Sequence, residues 1–203
     1  MPIMTLDGNI GSYKTSILNY FHKNYKTAID VEPVESWNDY LKTMYNTQNS
    51  TYNFQIKVWM DRCWIQEKSN TIILMERSPY FIKNVFVEKA FEDKTISAEE
   101  YKNMLTLHKR TDKLWEPEGL IYLRSNPELC FNRIKKRGRD SEKNIKLEYI
   151  KRIHELHEEK YNDAVKNNKN IICIDVEYKS IADICSEIIS SKIYSNLIEK
   201  IYN

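Results

Sequence analysis

Short apolar segments alternate along the chain with longer segments in which apolar residues recur every three or four positions. Each short segment has the length of a buried β-strand, and each longer one has the period of an amphipathic α-helix. The longer segments include a helix that begins near Lys14 and another that covers residues 147–165. The predicted strands cover residues 3–6, 28–31, 71–75, 120–123 and 171–176.

Strands that alternate with helices indicate βαβ units, in which parallel strands pair and helices cover both faces of the sheet. We therefore predict an α/β fold with a doubly wound, five-stranded parallel sheet flanked by helices. In such sheets, ligands bind at the carboxyl ends of the strands. Polar residues follow three of the predicted strands, namely Asp7 and Gly8, then Glu32, then Glu76 and Arg77. We expect a functional site where these strand ends meet.

The composition is typical of one folded domain. Lys and Arg total 31 against 29 Asp and Glu, so the formal net charge is +2, which argues against a surface built to bind nucleic acid. The sequence has no run of about 18 apolar residues, no signal-peptide pattern and no metal-binding or disulfide spacing among its four cysteines. We therefore expect a single cytoplasmic domain over residues 1–203 with no membrane or nucleic-acid partner.

A candidate phosphate-binding loop lies between the first predicted strand and the first predicted helix. Residues 8–15, GNIGSYKT, resemble the pattern G-x-x-x-x-G-K-[ST], in which backbone N–H groups and a helix N-terminus hold phosphates. Lys14 would reach the β- and γ-phosphates, and Thr15 would bind Mg²⁺. Tyr13 stands where the pattern has a glycine. Because glycine permits backbone conformations that a Cβ disfavours, Tyr13 leaves the geometry of this loop open.

Several segments together resemble the deoxyribonucleoside kinase family, which includes deoxycytidine, deoxyguanosine, mitochondrial thymidine and insect multisubstrate kinases. They extend from residue 3 to about residue 175, in the same order and at similar spacing as in the family. The segments are LDGNIGS at 6–12, EPVESW at 32–37, MY at 44–45 with FQ at 54–55, ERSPY at 76–80 with FVE at 86–88, YLRSNPE at 122–128 with RIKKRGR at 133–139, and LEYI at 147–150 with HELHE at 154–158.

This resemblance implies a P-loop kinase fold and a specific reaction. The enzyme would transfer the γ-phosphate of ATP to the 5′-hydroxyl of a deoxyribonucleoside with the help of Mg²⁺. The resemblance also implies a homodimer formed by helices packed side by side. The helix that carries Trp59 and Trp64 could supply that surface.

The resemblance further implies roles for individual residues. Glu32 would be the general base, and Arg77, Arg137 and Arg139 would assist the transfer, the last two from a mobile lid at about residues 133–145. Mg²⁺ would bind Thr15 and Glu76. ATP would be held by Gly8, Asn9, Gly11, Ser12, Lys14, Thr15, Arg133 and Arg137. The nucleoside would contact Glu32, Trp37, Met44, Tyr45, Gln55, Arg62, Arg77, Phe86 and Glu142.

The base preference is left open by Arg62. Deoxycytidine and deoxyguanosine kinases have an arginine at this place near the base, and they pair it with an aspartate. Ile82 takes the place of that aspartate here, and an unpaired buried arginine is costly. Asp61 or Glu88 could compensate, or Arg62 could point elsewhere.

Three other functions are compatible with parts of the sequence. A nucleoside monophosphate kinase would need a further cationic site for its acceptor phosphate, and the sequence does not single one out. A catalytically impaired relative that only binds nucleotides or proteins is suggested by Tyr13. A nucleic-acid-binding protein is suggested by the basic residues between 133 and 139 alone.

Overall fold

The computed structural model describes residues 3–46, 50–62, 72–111 and 117–202. Five strands lie within these ranges: β1 (Ile3–Gly8), β2 (Ala28–Asp30), β3 (Ile73–Glu76), β4 (Gly119–Arg124) and β5 (Ile171–Asp175). They form one parallel sheet in the order β2-β3-β1-β4-β5. The register pairs Leu6 with Glu76 and Asp7 with Tyr122, so the carboxyl ends of β3, β1 and β4 lie side by side.

Helices connect the strands, as parallel pairing requires. A π-helical turn, Ile82–Val87, joins α4 to α5, and a 3₁₀ turn, Asp140–Glu142, follows α7. The α-helices of the described residues are α1 (Lys14–Tyr25), α2 (Val34–Asn46), α3 (Thr51–Arg62), α4 (Pro79–Phe81), α5 (Glu88–Glu92), α6 (Ala98–Thr111), α7 (Pro127–Arg137), α8 (Leu147–Lys166), α9 (Ile181–Ile189) and α10 (Lys192–Tyr202).

Both faces of the sheet are covered, which explains why the strand sequences are apolar throughout. Successive side chains of a strand point to opposite faces. In β4, Ile121 and Leu123 therefore belong to a core cluster with residues of α1, α9 and α10. Tyr122, between them, packs on the other face with Ile153 and Leu156 of α8. The predicted doubly wound α/β fold is thus confirmed.

The predicted elements agree with the structure where it is described. The strands predicted at residues 3–6, 28–31, 120–123 and 171–176 agree with β1, β2, β4 and β5 to within two residues at each end. For the strand predicted at 71–75, β3 begins at Ile73, and residue 71 lies outside the described ranges. The apolar pattern at 55–68 corresponds to α3 as far as Arg62, and residues 63–68 are again outside those ranges.

Two expectations from the composition concern membranes and cysteines. Among the described residues, no helix combines the length and the apolar character needed to cross a membrane. Cys130, Cys173 and Cys185 carry free thiols. Cys63 falls outside the described part of the chain.

A neutral histidine is buried between the sheet and α8. The ring of His157 stacks on Phe81 at 5.2 Å and on Tyr122 at 5.7 Å, measured between ring centroids. Its Nδ1 lies 2.7 Å from the Ile153 carbonyl oxygen, which can only accept, so Nδ1 carries the proton. Within the described residues, Nε2 has no hydrogen-bond partner. Burial lowers the pKa of His157 to about 3, so the ring remains uncharged at neutral pH.

We expect His157 to make the fold sensitive to acid. The unfolded chain binds a proton at this ring below its ordinary pKa of about 6.5, whereas the folded chain does so only near pH 3. Stability is therefore lost as the pH falls through this window, by about 1.4 kcal/mol per pH unit. His157→Phe should reduce the slope of unfolding free energy against pH by that amount, measured by urea denaturation between about pH 6 and pH 4.

Tyr161→Phe is the matched control, because Tyr161 belongs to the same aromatic cluster and Phe keeps its ring. This variant should retain the wild-type slope. An unchanged slope in His157→Phe would show that His157 is not the buried neutral group described above.

Candidate active site

The loop between β1 and α1 is fixed by close backbone contacts. Gly8 and Gly11 have φ angles of 144° and 83°, in the range that favours glycine. A Cβ on Gly8 would lie 2.6 Å from the Leu123 carbonyl oxygen, and one on Gly11 would lie 2.7 Å from the Cys130 carbonyl oxygen. The loop is thus held against β4 and α7 with no room for a side chain at either glycine.

Tyr13 adopts the backbone conformation that a glycine would supply. Its φ and ψ angles are 69° and 8°, in the left-handed region, at a cost of about 1–2 kcal/mol for a residue with a Cβ. Its ring lies 4.0 Å from the guanidinium carbon of Arg133, a cation–π contact. Arg133 also donates to the Gly11 carbonyl oxygen at 3.2 Å and to the Ser125 hydroxyl at 2.9 Å. Tyr13 therefore anchors an arginine from α7 over the loop.

Lys14 begins α1, and its side chain is buried against the loop. Its Nζ donates to the carbonyl oxygens of Asn9 at 3.0 Å and Gly8 at 3.3 Å. Burial and the nearby charge of Arg77 both lower the pKa of Lys14. Arg133 binds the Gly11 carbonyl oxygen, so several cationic side chains surround the loop. An anionic ligand there would relieve their repulsion.

Two carboxylates and an arginine meet where β2 and β3 end. Arg77 donates from Nε to Oε1 of Glu32 in a buried ion pair. The backbone N–H of Glu32 donates to Glu76 Oε2 at 3.3 Å, and the Thr15 hydroxyl donates to the two Glu76 oxygens at 3.0 and 3.1 Å. The carboxylates are therefore neighbours with different partners.

The charge distribution gives the two carboxyl groups opposite pKa shifts. Burial acts to raise the pKa of Glu32, but the charges of Arg77 and Lys14 outweigh it and hold that pKa below its ordinary value. Burial and the negative charge of Glu32 raise the pKa of Glu76. The charged form of Glu32 is thus favoured, as a proton acceptor requires.

Arg77 is positioned by its backbone as well as by its ion pair. Its φ of 69° is in the left-handed region, and its N–H donates to the Leu6 carbonyl oxygen at 2.9 Å. Its guanidinium carbon lies 4.0 Å from the centre of the Phe86 ring. The next residue, Ser78, donates its N–H to the buried Asp7 carboxylate at 2.8 Å. The turn after β3 is therefore tied to β1.

The opposite end of the site is largely apolar. Gln55 of α3 is buried there, and its Oε1 has no hydrogen-bond partner among the described residues. Trp37 packs edge-on against Phe54 and donates from Nε1 to the Asp61 carboxylate at 2.7 Å. An amide that can donate and accept, surrounded by aromatic rings, is suited to the flat polar edge of a nucleobase.

The end of α7 and the turn after it form a basic segment, residues 133–142, that also contains a buried carboxylate. Glu142 accepts hydrogen bonds of 2.7 and 2.5 Å from Arg137, and Arg139 lies 3.6 Å from it. All three residues face the same cavity. The segment thus brings both positive charge and a hydrogen-bond acceptor to the site.

These groups line one cavity of about 440 Å³, a volume typical of small-molecule sites. Of the residues expected to form the site, Gly8 and Asn9 lie beneath the lining as acceptors for Lys14, and the side chain of Tyr45 falls outside the described part of the structure. The expected residues on the lining are Gly11, Ser12, Lys14, Thr15, Glu32, Trp37, Met44, Gln55, Glu76, Arg77, Phe86, Arg133, Arg137, Arg139 and Glu142.

Arg62 is placed differently from the expectation, because it does not contribute to the lining of this cavity. Its guanidinium donates to the Asp30 carboxylate at 2.8 Å. The charge is therefore paired, and neither Asp61 nor Glu88 is needed to compensate it. The guanidinium of Arg62 thus contacts the ends of β2 and β3.

Tyr149 and Ser125 are among the residues of the site that received no role from the sequence. Tyr149 of α8 lines the cavity, and Ser125 after β4 accepts from Arg133. Both lie within segments that resemble the kinase family, and this resemblance is the sequence feature that could have indicated a role for them. Their contacts depend on α7 and α8 meeting the phosphate loop.

The family model described as deoxynucleoside kinase matches residues 4–199 of this chain. This chain belongs to the deoxynucleoside kinase family. Human mitochondrial thymidine kinase 2 is 31% identical over 170 residues, which cover 77% of this chain and 63% of that protein. The putative kinase protein 029R of Invertebrate iridescent virus 3 is 28% identical over 161 residues, covering 77% of this chain and 80% of the relative.

The fold also matches a solved structure, that of a deoxyadenosine kinase from M. mycoides. The TM-score is 0.81 at 23% sequence identity, and the match covers 92% of this chain and 96% of that one. The deoxynucleoside kinase fold therefore extends over nearly the whole of this chain.

We expect Gly11→Ala to distort the phosphate loop. A side chain there would meet the Cys130 backbone at 2.7 Å in addition to the cost of its positive φ. Gly138→Ala is the matched control, because Gly138 also has a positive φ, 65°, but no atom within 4 Å of its Cβ position. Gly138→Ala should cost about 1 kcal/mol of unfolding free energy and Gly11→Ala at least twice that, measured by urea denaturation. Equal losses would contradict the close packing of the loop.

Proposed function

We propose that this chain is a deoxyribonucleoside kinase that transfers the γ-phosphate of ATP to the 5′-hydroxyl of a deoxyribonucleoside. One observation carries the proposal. A single cavity combines a phosphate loop with Lys14, a carboxylate, Glu32, held ionised by Arg77, and an apolar end with a buried amide, Gln55. Membership of the deoxynucleoside kinase family supports it. Each end of the cavity suits one of the two substrates.

Glu32 would act on the acceptor hydroxyl. Phosphoryl transfer requires the attacking oxygen to be aligned with the phosphorus and its proton to be accepted. The Glu32 carboxylate lies between the phosphate loop and the apolar end, and its pKa is held low by the cations beside it. It would orient the 5′-hydroxyl and take its proton as the bond to phosphorus forms. Arg77 would keep the carboxylate in place and ionised.

The cationic residues would bind and stabilise the transferred phosphoryl group. Lys14 and the loop residues before it line the cavity, and Arg133, Arg137 and Arg139 line it from the end of α7 and the turn that follows. Preorganised cations stabilise the negative charge spread over the phosphoryl oxygens. We propose that residues 133–145 close as a lid over the donor, within a single domain.

Mg²⁺ fits the pair formed by Thr15 and Glu76. A hydroxyl and a carboxylate are the hard oxygen ligands that this ion prefers. The Glu76 carboxyl is buried beside the negative charge of Glu32, which raises its pKa, so a divalent cation bound there would offset the negative charge of the two carboxylates. When bound with ATP, the ion would offset negative charge on the phosphates.

The nucleoside would occupy the apolar end. Gln55 would bind the edge of the base between Trp37 and Phe86, with Met44 completing the wall. Tyr45 and Glu142 would hold the sugar 3′-hydroxyl. Glu142 belongs to the proposed lid, where it is bound to Arg137, so sugar binding and the position of the lid would be coupled.

A homodimer and a cytoplasmic location stay predictions. Trp59, on the helix expected to supply the dimer surface, is only 2% exposed and packs on His108 at 3.6 Å between ring centroids, so it is part of the core. Trp64 lies outside the described residues. Any dimer contact of α3 would use other residues, such as Met60, which is 64% exposed.

No observation favours the monophosphate kinase or the impaired relative.

The first test is Mg²⁺- and ATP-dependent phosphorylation of thymidine, deoxycytidine, deoxyadenosine and deoxyguanosine. We expect turnover of at least one of them. Lys14→Ala should lower kcat/KM at least about 100-fold because it removes the cation nearest the phosphates. Lys23→Ala, an exposed lysine on the same helix, should retain wild-type activity. No turnover on any nucleoside by folded wild-type protein would refute the proposed function.

Glu32→Gln tests the role of the carboxylate. The amide keeps the size of the side chain but cannot accept the proton, so kcat should fall about 10²–10⁴-fold while the nucleoside KM changes little. Steady-state kinetics measure both parameters. Glu35→Gln, an exposed glutamate in α2, is the control and should match the wild type. A Glu32→Gln enzyme with normal kcat would assign the proton to another acceptor.

A further inference from the structure

Arg62 joins the ends of two strands from beneath the active site. Its side chain is only 2% exposed, at the last turn of α3. One terminal nitrogen donates to the Asp30 carboxylate at 2.8 Å and to the Val31 carbonyl oxygen at 3.3 Å. The other donates to the carbonyl oxygens of Asp30 at 3.2 Å and Glu76 at 2.9 Å. One guanidinium therefore binds the chain after β2 and the end of β3.

These contacts begin where the sheet ladder stops. β2 has three residues, and its pairing with β3 ends at Asp30 opposite Met75. The next residues on each chain are Val31 and Glu76, whose carbonyl oxygens both accept from Arg62. Arg62 thus substitutes for backbone pairing at the point where the two strands separate.

The residues that follow these carbonyl groups carry the chemistry. Val31 precedes Glu32, and Glu76 precedes Arg77. The Glu32–Arg77 ion pair is therefore formed between two chain segments that Arg62 holds at a fixed separation. An error of about 1 Å in the position of a reacting group can cost about 100-fold in rate. The relative position of Glu32 and Arg77 thus depends on the contacts that hold their two backbone segments together.

The same contacts argue against an interaction of Arg62 with the base. The guanidinium is outside the cavity lining, whereas Gln55, seven residues earlier on the same helix, faces the cavity. Seven residues of α-helix span about 10 Å, so Arg62 lies about two turns beyond Gln55, where its guanidinium contacts the strand ends. Asp30 supplies the carboxylate that a buried arginine needs.

We propose that Arg62, paired with Asp30, is a positioning residue that holds Glu32 and Arg77 in register for phosphoryl transfer and takes no part in recognising the base. This inference rests on the proposed function. A planar fork is required, because a lysine can satisfy the Asp30 carboxylate but cannot bridge both strand ends at once. A lysine at position 62 would therefore keep the positive charge that pairs with Asp30 but would lose the hydrogen bonds that join the two strand ends.

The test uses the single variants Arg62→Lys, Arg62→Met and Asp30→Asn and one double variant, each assayed with ATP and each of the four deoxynucleosides. We expect kcat to fall about 10–100-fold by a common factor for every base that the wild type accepts, with the nucleoside KM within about threefold of wild type. The ranking of the bases should not change. Asp30→Asn should give the same pattern as the Arg62 variants, and the double variant Asp30→Asn with Arg62→Lys should be less than additive.

Thermal unfolding separates positioning from folding. Arg62→Lys should retain most of the stability that Arg62→Met loses, yet both should show the reduced kcat. Lys57→Met is the matched control, because Lys57 lies on the same helix and its side chain forms an ion pair of 2.8 Å with Asp61, whereas that of Arg62 binds the strand ends. It should leave kcat unchanged.

Three outcomes would overturn the inference while leaving the proposed function intact. They are an altered base ranking in an Arg62 variant, a rise in KM for one base alone, and a wild-type kcat in Arg62→Lys. No turnover by the wild-type protein would instead refute the proposed function, and the positioning role with it. The two failures are therefore distinguished by the wild-type assay.

Discussion

The buried ion pair between Glu32 and Arg77 is the interaction on which the rest of the site depends. Each charge is almost fully removed from water, so neither could remain there without the other. The structure supports the pair from several sides. Arg77 takes a left-handed backbone conformation and donates its N–H to β1, and its guanidinium lies over the Phe86 ring. The pair thereby connects the phosphate loop to the apolar end of the cavity.

The same charges give two neighbouring carboxyl groups different pKa shifts. Arg77 and Lys14 keep Glu32 ionised, and the charge of Glu32 in turn helps to raise the pKa of Glu76. Two identical functional groups thus acquire different properties from their surroundings. This difference suits one carboxylate for the acceptor hydroxyl and the other, beside Thr15, for a metal ion.

The departure at Tyr13 is accommodated by the backbone of the loop. The residue adopts the left-handed conformation that a glycine supplies, and the neighbouring glycines Gly8 and Gly11 retain the positions where no Cβ fits. The added ring then provides a surface for Arg133. Tyr13 departs from the sequence pattern of the loop, but in the folded chain its side chain forms a contact between the loop and α7.

The sequence by itself determined the strands, the order of strands and helices, and the phosphate loop, because apolar periodicity and turn residues act over a few neighbouring positions. It also placed Glu32, Glu76 and Arg77 at strand ends. Only the tertiary structure decided their partners. Arg62 pairs with Asp30, 32 residues away, and Arg133 meets the loop across 122 residues. Such pairs depend on the strand order and on how the helices pack, which no local pattern of residues encodes.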